Sequence, residues 1–463
     1  MRTIFLGLEI ARKALQTHQA AMNITAHNIA NANTVGYTRQ VPHLSQETIP
    51  LSGLFVPPHL KNIGLGVDVD AIRRMRDRFI DLQIRQESRT GAYWNTIDKG
   101  LEQIEVIFGE PSEESGLSQI FDRFWNTWQE LAKSPESQAS RVLVAETGNL
   151  LAQALSHTYA QFEVQRWELN EKVAIKVEEV NSYIQQIYDL NQQIVRVAPA
   201  GGNINDYKDQ LDVLVDNLSK ILEVQVRENS NGTYTVVLQG RILASDRERS
   251  FLALESDASQ MNRVVLEGGP AVDFTYQNGE LKAILDLRDT IVPKYQGALD
   301  VLAQNLRDAV NMVHQKGFTL ENPPVRGGDF FIGSGAKDLA VHPEILGNPL
   351  KIAASLSGAP GDGENALAIA RLRSQPVVSG SSPDDYYRGI ISRLGVEREE
   401  AQRIAKNQDL LVQQLENRRE SISGVSLDEE MTNLIRYQYA YQAASILVRT
   451  IDEMLDTVVH RIK

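Results

Sequence analysis

The run LDEEMTNLIRYQYAYQAASILVRTIDEMLDTVVHRI, residues 427–462, decides how this chain is built. Within it Leu427, Leu434, Tyr441, Val448, Leu455 and Ile462 recur every seven residues. Tyr437, Ala444, Ile451 and Val458 fall three residues after successive members. A 3,4 spacing keeps one edge of a supercoiled helix turned toward a partner, the a/d seam of a coiled coil. The other end of the chain carries a matching pattern: Leu8, Leu15, Met22 and Ile29 recur every seven, with Ala11 between the first two. Each stripe is too narrow and too long to form a globular core alone. A heptad stripe can also pack on the chain's own body, but both of these are terminal and set apart by helix breakers. The pattern predicts that the two ends pair with each other and with the ends of neighbouring copies, and that they are poorly ordered until paired. It points to assembly rather than to chemistry.

Inward from the ends the texture is helical, then mixed, then helical again. Residues 3–32 read as a helix that stops in an Asn-rich stretch, Asn28, Asn31 and Asn33, before Gly36. Those residues compete for backbone hydrogen bonds and tolerate positive φ. Prolines and glycines make residues 41–69 extended or irregular, and helical periodicity returns over 71–108. Residues 117–197 are the most helical part, with Leu169, Val173, Val177, Val180, Ile184, Ile187, Ile194 and Val197 in a 3,4 rhythm suited to a rod-like bundle. After a helix near 207–222, the runs 224–238, 241–244, 251–254, 264–266 and 272–276 are β-branched, aromatic and punctuated by turn pairs. Helix resumes over 281–314, kinked or started at Pro293, and residues 317–363 read as hairpins or irregular connections. A helix over 384–422 stops at Ser423–Gly424, ahead of the C-terminal seam. The expectation is a mainly α, multidomain chain with an inserted β-rich domain. Residues 1–60 with 424–463 form the coiled-coil assembly domain, 61–205 with 281–423 the helical-bundle body, and 206–280 the insertion.

Composition removes several function classes. The 463 residues carry 47 Lys and Arg against 60 Asp and Glu, a net charge of −13, which argues against a nucleic-acid binder. It gives no support to a protein of anionic membrane surfaces either. The absence of cysteine excludes disulfides, thiolate metal ligands and a thiol nucleophile. No stretch approaches ~18 consecutive apolar residues. Glu9, Arg12 and Lys13 cut the apolar start before a signal-peptide core can form. The eight histidines are scattered, and there is no HExxH, P-loop, GxGxxG or GxSxG. Residues 360–364 read as a turn rather than a calcium loop. Arg73, Arg74, Arg76 and Arg78 read as a solvated helix face, and Trp125 and Trp128 as core. His18 reads as packing or surface, and Asp428, Glu429 and Glu430 as charges stabilising the first turn of a helix. No catalytic, cofactor-binding or metal-binding residue is predicted, and the chain reads as a non-enzyme.

Three motifs carry a resemblance. Residues 28–40, NIANANTVGYTRQ, with Asn28, Asn31, Asn33, Gly36, Tyr37 and Arg39 as the motif positions, resemble the N-terminal signature of bacterial flagellar rod, hook and hook-associated proteins. Residues 66–74, running on to Phe79, Gln83, Arg85 and Ser88, are similar to the flagellar hook-associated protein 1 family (FlgK), as are residues 423–457. Residues 287–295, 328–331 and 360–366 narrow the likeness to that family. One departure is Val35, where a Pro commonly precedes the Gly-Tyr pair. The resemblance implies a structural subunit of the hook–filament junction, without catalytic residues. It implies export through the flagellar type III gate without a cleaved signal peptide, and an extracellular place in the flagellum. The implied partners are further copies of the chain in a ring, the hook protein, the adjacent hook-associated junction protein, and the export chaperone FlgN on the C-terminal region. Neither nucleic acid, membrane nor cofactor is implied. The implied assembly interface joins Leu8, Leu15, Met22 and Ile29 to Leu427, Leu434, Tyr437, Tyr441, Val448, Ile451, Leu455, Val458 and Ile462. Alternatives are another axial subunit of hook or rod, a cell-wall hydrolase, or an adhesin acting through the β domain.

Overall fold

The computed structural model describes residues 2–46, 64, 66–109, 116–275 and 277–460. Helix α1 (Arg2–Ala30) leads into an antiparallel strand pair, β1 (Gln40–Gln46) and β2 (Val67–Arg74). Helices α2 (Arg78–Phe108), α3 (Leu117–Lys133), α4 (Gln138–Val197) and α5 (Asn205–Ile221) follow. Strands β3 (Gln225–Glu228), β4 (Tyr234–Leu238) and β5 (Arg241–Ala244) form one antiparallel sheet, and β6 (Leu252–Ser256) pairs with β7 (Asn262–Leu266). Helices α6 (Glu280–Asp286) and α7 (Val292–His314) precede a short pair, β8 (Phe331–Ile332) and β9 (Ala340–Val341). Helices α8 (Pro343–Gly347), α9 (Glu364–Arg371), α10 (Pro383–Ser423) and α11 (Leu427–His460) complete the chain. The fold is mainly α with small antiparallel sheets set between helices.

Helix α4 is the spine, 60 residues long and therefore roughly 90 Å at 1.5 Å per residue. Ser137 caps it, accepting from the Ser140 N–H at 3.3 Å. The apolar rhythm read from the sequence lies on one buried face, from Leu169 to Ile194. That face carries the sheets as well as other helices: Val236, Leu243, Leu252 and Val264 share its core. Three asparagines on α4, spaced 11 and 10 residues or about three turns apart, fix where the strands begin. Asn191 accepts from the Tyr234 N–H and donates to its carbonyl, both at 2.8 Å. Asn181 makes the same two bonds with Leu252, both at 2.8 Å. Asn170 accepts from the Asn262 N–H at 2.7 Å. A side-chain amide offers one donor and one acceptor edge, so it can stand in for a neighbouring strand. At one end of the body Phe121, Phe124, Trp125 and Trp128 are buried; Phe121 packs tilted against Tyr387 and Phe124 against Phe331, and Trp128 meets Phe330 edge-on. They are core, as the sequence suggested.

Helices α2 and α10 run antiparallel along each other. Phe108 meets Tyr387, Arg398 pairs with Asp98, Glu102 and Glu105, and Arg419 reaches Asp81. Ser382 caps α10 with Pro383 in its first turn.

Four local expectations need correction. Helix α2 begins at Arg78 rather than Ala71, because residues 67–74 pair with β1 and Asp77 caps the helix by accepting from Phe79 N–H at 2.9 Å. Arg74 and Arg76 are consequently not on a solvated helix face. The helical run 117–197 is two helices, parted at Pro135, whose ring cannot continue the α-helical ladder. Residues 272–275 are not a strand; Val272 makes one backbone bond, to Val264, beside an isolated bridge at Ala271. Tyr276 lies outside the described residues. The expectation that a helix is kinked or started at Pro293 holds: α7 starts at Val292 with Pro293 in its first turn, and a π-helical turn, Leu287–Ile291, joins it to α6.

Candidate assembly interface

The two terminal helices lie antiparallel, and three contacts set their register. A Cβ on Gly7 would lie 3.3 Å from Ile451 Cδ1, the His18 and Tyr437 rings are 6.4 Å apart, and Asn28 Nδ2 donates to Glu430 at 3.0 Å. Among the described side chains of α1, Ala11, Thr17, Ala21, Ile24, Thr25 and Asn28 are buried. Gly7, Ala11, Ala21 and Thr25 form the face toward α11, small enough for close approach. On the adjoining side, Thr17 donates to the Val67 carbonyl at 2.9 Å, docking the β1–β2 pair. Leu8, Leu15, Met22 and Ile29 are half-buried and flank the α11-facing side.

On α11, Glu430, Ala444 and Ile451 are buried. Leu434, Tyr437, Tyr441, Val448 and Leu455 are half-buried, and Leu427 is exposed. The described residues of the C-terminal seam thus turn to α1, except Leu427. The side chain of Val458 and all of Ile462 lie outside the described residues. By the helical repeat, Leu434, Tyr441, Val448 and Leu455 and the four N-terminal heptad residues edge the same side of the antiparallel pair. A second apolar stripe, Met431, Ile435, Tyr439 and Ile446, is exposed opposite Ala444 and Ile451.

Where α1 ends, the Asn-rich motif ties the terminal pair to the body. Asn28 spends its full hydrogen-bonding capacity. Its amide donates to the Gln40 carbonyl at 2.8 Å and to Glu430, and its oxygen accepts from Gln40 N–H at 3.0 Å and from the Tyr37 hydroxyl at 2.7 Å. Asn31 donates to the His27 carbonyl at 3.0 Å and accepts from Thr34, closing the turn; Asn33 is exposed. Gly36 has φ of +80°, and a Cβ there would sit 2.2 Å from Val213 Cγ2, so this position requires glycine on two counts. Arg39 joins three segments. Its N–H donates to Ser423 O and its carbonyl accepts from Met75 N–H, both at 2.9 Å, while its guanidinium reaches Glu430 and Glu429, both at 2.8 Å. Burial, with Asp206, Asp209 and Glu430 nearby, pushes the Tyr37 phenol up, so it stays a hydrogen-bond donor.

Beneath the motif, α5 presents Asp206, Asp209, Asp212 and Asp216 along one side. Asp206 accepts from Gln40 at 2.7 Å and Asp209 from the Thr38 N–H at 3.0 Å. Asp212 is ringed by Arg74 at 2.7 Å, Arg76 at 2.7 Å and Arg85 at 3.2 Å, and accepts from the Tyr234 hydroxyl at 2.8 Å. Asp216 holds Arg85 at 2.6 Å and Arg419 at 3.0 Å. Burial pushes the Asp212 carboxyl up, but Arg76, Arg74 and Arg85 overcome it and hold it below the usual carboxylate range. For Asp209 burial wins over Arg74 and the carboxyl is raised. Burial would lower the Arg74 guanidinium, yet Asp212 and Asp209 raise it. This chain of paired charges fixes the terminal helices to α2, α5 and α10.

Glu430 and the α5 aspartates are partners of the terminal motif that the sequence reading missed. Glu430 read as a helix-start charge; it is instead the buried partner of Asn28 and Arg39. The available signal was the 206, 209, 212, 216 spacing, which is helical but looks like a solvated face. Among the described residues no group of acidic or His side chains is placed to hold a metal ion, and no helix is long and apolar enough to cross a membrane.

A chain whose ends are locked together and onto a long helical body is a structural protein in design, and comparison with known proteins gives the class. A model for the flagella basal body rod protein matches residues 8–38, and one for the flagellar basal body rod FlgEFG protein C-terminal region matches 418–460. The model for the flagellar hook-associated protein FlgK helical domain matches 101–331. The chain is 32% identical to flagellar hook-associated protein 1 of Bacillus subtilis (strain 168), across 99% of both chains. It is 24% identical to the protein of the same name from Salmonella typhimurium, over 97% of this chain and 98% of the relative. In fold it is similar to the flagellar hook junction protein FlgK from Burkholderia pseudomallei, with a TM-score of 0.65 over 74% of this chain and all of that one, at 16% identity. These matches define a structural component of the bacterial flagellum. More narrowly, the chain belongs to the flagellar hook-associated protein 1 family.

Proposed function

We propose that this protein joins the flagellar hook to the filament, assembling through its terminal helices into a ring. The observation that carries this reading is the apolar surface left on an already paired helix. Helix α11 turns its seam to α1, yet Met431, Ile435, Tyr439 and Ile446 remain exposed at helical spacing on its far side. A contiguous exposed apolar stripe on a water-soluble helix marks a surface for association. The half-buried heptad residues of both helices edge a second such surface. Residues 1–60 with 424–463 act as the assembly domain, on a helical body (61–205 with 281–423) that carries the β-rich insertion (206–280). The neighbours are further copies, the hook protein and the adjacent hook-associated junction protein. The protein works outside the cell, leaves it through the type III export gate, and is held beforehand by the chaperone FlgN on its C-terminal region. It performs structural work and no catalysis.

Deleting the gene and assaying flagellin in the medium tests this. Intact hooks without filaments, with flagellin shed as monomer, are expected; missing hooks would move the protein inward to rod or hook, and normal filaments would overturn the reading. In the complemented strain, Leu434→Asp with Leu455→Asp is expected to abolish incorporation while the body stays folded, and normal incorporation would refute the role of the terminal helices.

A further inference from the structure

We propose that the helical bodies of two copies also join, head to tail, with the basic, apolar start of α2 on one copy seated against the acidic, apolar outer face of α4 on the next. This rests on the assembly reading above and adds a contact outside the terminal helices.

The first surface lies where β2 passes into α2. Phe79 and Leu82, three residues apart, are 67% and 59% exposed, and Met75 is exposed beside them. Leu82 edges a concavity lined by six basic side chains, among them Arg73, Arg78 and Lys208, and by three acidic ones, Asp81, Asp212 and Glu228. Asp209 and Asp216 pair with Arg74 and Arg85 from outside that lining, which leaves an excess of one cation there in a chain of net charge −13. Asp212 and Asp81 are already engaged by arginines, whereas Arg73 is exposed with no ion pair among the described residues.

The second surface is the outward face of α4. Val164, Glu168, Glu171, Ile175 and Glu178 follow the 4, 3, 4, 3 spacing of one helical line, and all are exposed. Val164 is 57% and Ile175 61% exposed, and Trp167 stands exposed beside the line. Val106 and Ile107 of α2 share a shallow concavity with Val164 and Glu168. Lys172 lies off that line. Single exposed apolar residues are ordinary. Two apolar groups, one rimmed by cations and the other by carboxylates, are complementary in the way that steers and aligns partners. An exposed tryptophan suits the centre of such a contact.

The two surfaces cannot meet within one chain. By the helical repeat, Leu82 and Val106 are roughly 36 Å apart along α2 and roughly 120° apart around it. Joining unlike patches on different sides is a heterologous contact, which closes into a ring or extends into a filament instead of stopping at a two-fold dimer. Successive bodies would be staggered along their long axis by about the same 36 Å.

The chain lacks cysteine, so disulfide trapping starts from a clean background. Two tagged copies, one Leu82→Cys and the other Val164→Cys, are co-expressed in the deletion strain, and flagellar structures are isolated and mildly oxidised. A disulfide dimer carrying both tags is the expected product. Arg73→Glu in the first copy is expected to cut its yield about five-fold, with Glu168→Arg plus Glu171→Arg in the second copy restoring it. Both copies incorporated but no mixed dimer, or Leu82→Cys dimers of one tag alone, would overturn the proposal while leaving the assembly reading intact. An Arg73→Glu yield equal to that of the same cysteine pair with Arg73 intact would remove the charge complementarity on which it rests. Absence of both copies from the isolated structures would instead sink the assembly reading, and this contact with it.

Discussion

Glu430→Ala should loosen the terminal helices and leave the body untouched. The carboxylate is buried and accepts from Arg39 Nε at 2.8 Å and from Asn28 Nδ2 at 3.0 Å. Hydrogen bonds to a charged group contribute about 1.5–3 kcal/mol each. Two compensations reduce the sum: Arg39 keeps Glu429 at 2.8 Å, and the Asn28 amide keeps the Gln40 carbonyl at 2.8 Å. The net local cost is therefore about 2–3 kcal/mol. At about 1.36 kcal/mol per decade, amides in residues 20–30 and the first turns of α11 should exchange hydrogen roughly 30- to 160-fold faster. Amides buried in α3 and α4 should not change. Glu429→Ala is the control, since that partner is exposed and an exposed pair contributes about 1 kcal/mol at most. Unchanged protection at residues 20–30, or equal loss in α4, would show that Glu430 does not hold the ends together.

Asn191→Ala leaves both backbone groups of Tyr234 buried and unpaired, so the urea midpoint should fall by the equivalent of about 2–4 kcal/mol; a change below about 0.5 kcal/mol would contradict the clamp. Asp212→Ala strips the shared carboxylate from three largely buried guanidinium groups, and a loss of about 3–5 kcal/mol is expected in thermal unfolding, with Arg85→Ala milder because Asp212 keeps Arg74 and Arg76 and Asp216 keeps Arg419. Stability should also fall with acid through His314. This ring is buried, donating from Nδ1 to the Gly328 carbonyl at 2.7 Å and accepting at Nε2 from Ala353 N–H at 2.9 Å, and burial pushes its pKa down to about 4. The unfolded chain, at about 6.5, binds the proton first, so the contribution is complete above that value and is lost as pH falls from about 6.5 to 4, by roughly 3 kcal/mol in all. A His314→Gln variant should lose that slope, and an unchanged slope would assign the acid sensitivity elsewhere.

Much of the architecture was legible from periodicity alone. The 3,4 rhythm of α4 named its buried face because burial on one side of a helix demands that spacing. The Ser423–Gly424 break and the terminal heptads located α10, α11 and their boundary for the same reason. Three errors share a cause. Residues 71–74 have a composition a helix tolerates, and only pairing with β1 makes them a strand. Residues 272–275 have strand composition, but no neighbouring strand continues the ladder there. The arginines at 73–78 looked like a solvent-facing charge run because the aspartates that bury two of them lie more than a hundred residues away on α5.

The sequence by itself determined that both ends are helices with apolar stripes, that they frame a long helical body, and that small strands intervene. Those features depend on local spacing, which a helix or strand reads out directly. Tertiary structure alone decided how the ends are rotated and what locks them. Small residues at 7, 11 and 21 allow α1 and α11 to approach closely, so Leu8, Leu15, Met22 and Ile29 are turned to the flank instead of the seam. Glu430 becomes a buried ion-pair partner only when the antiparallel register brings it to Asn28, 402 residues earlier in the chain. Charge has no periodicity that announces its partner, and its energy depends on burial and distance that exist only once the chain has folded.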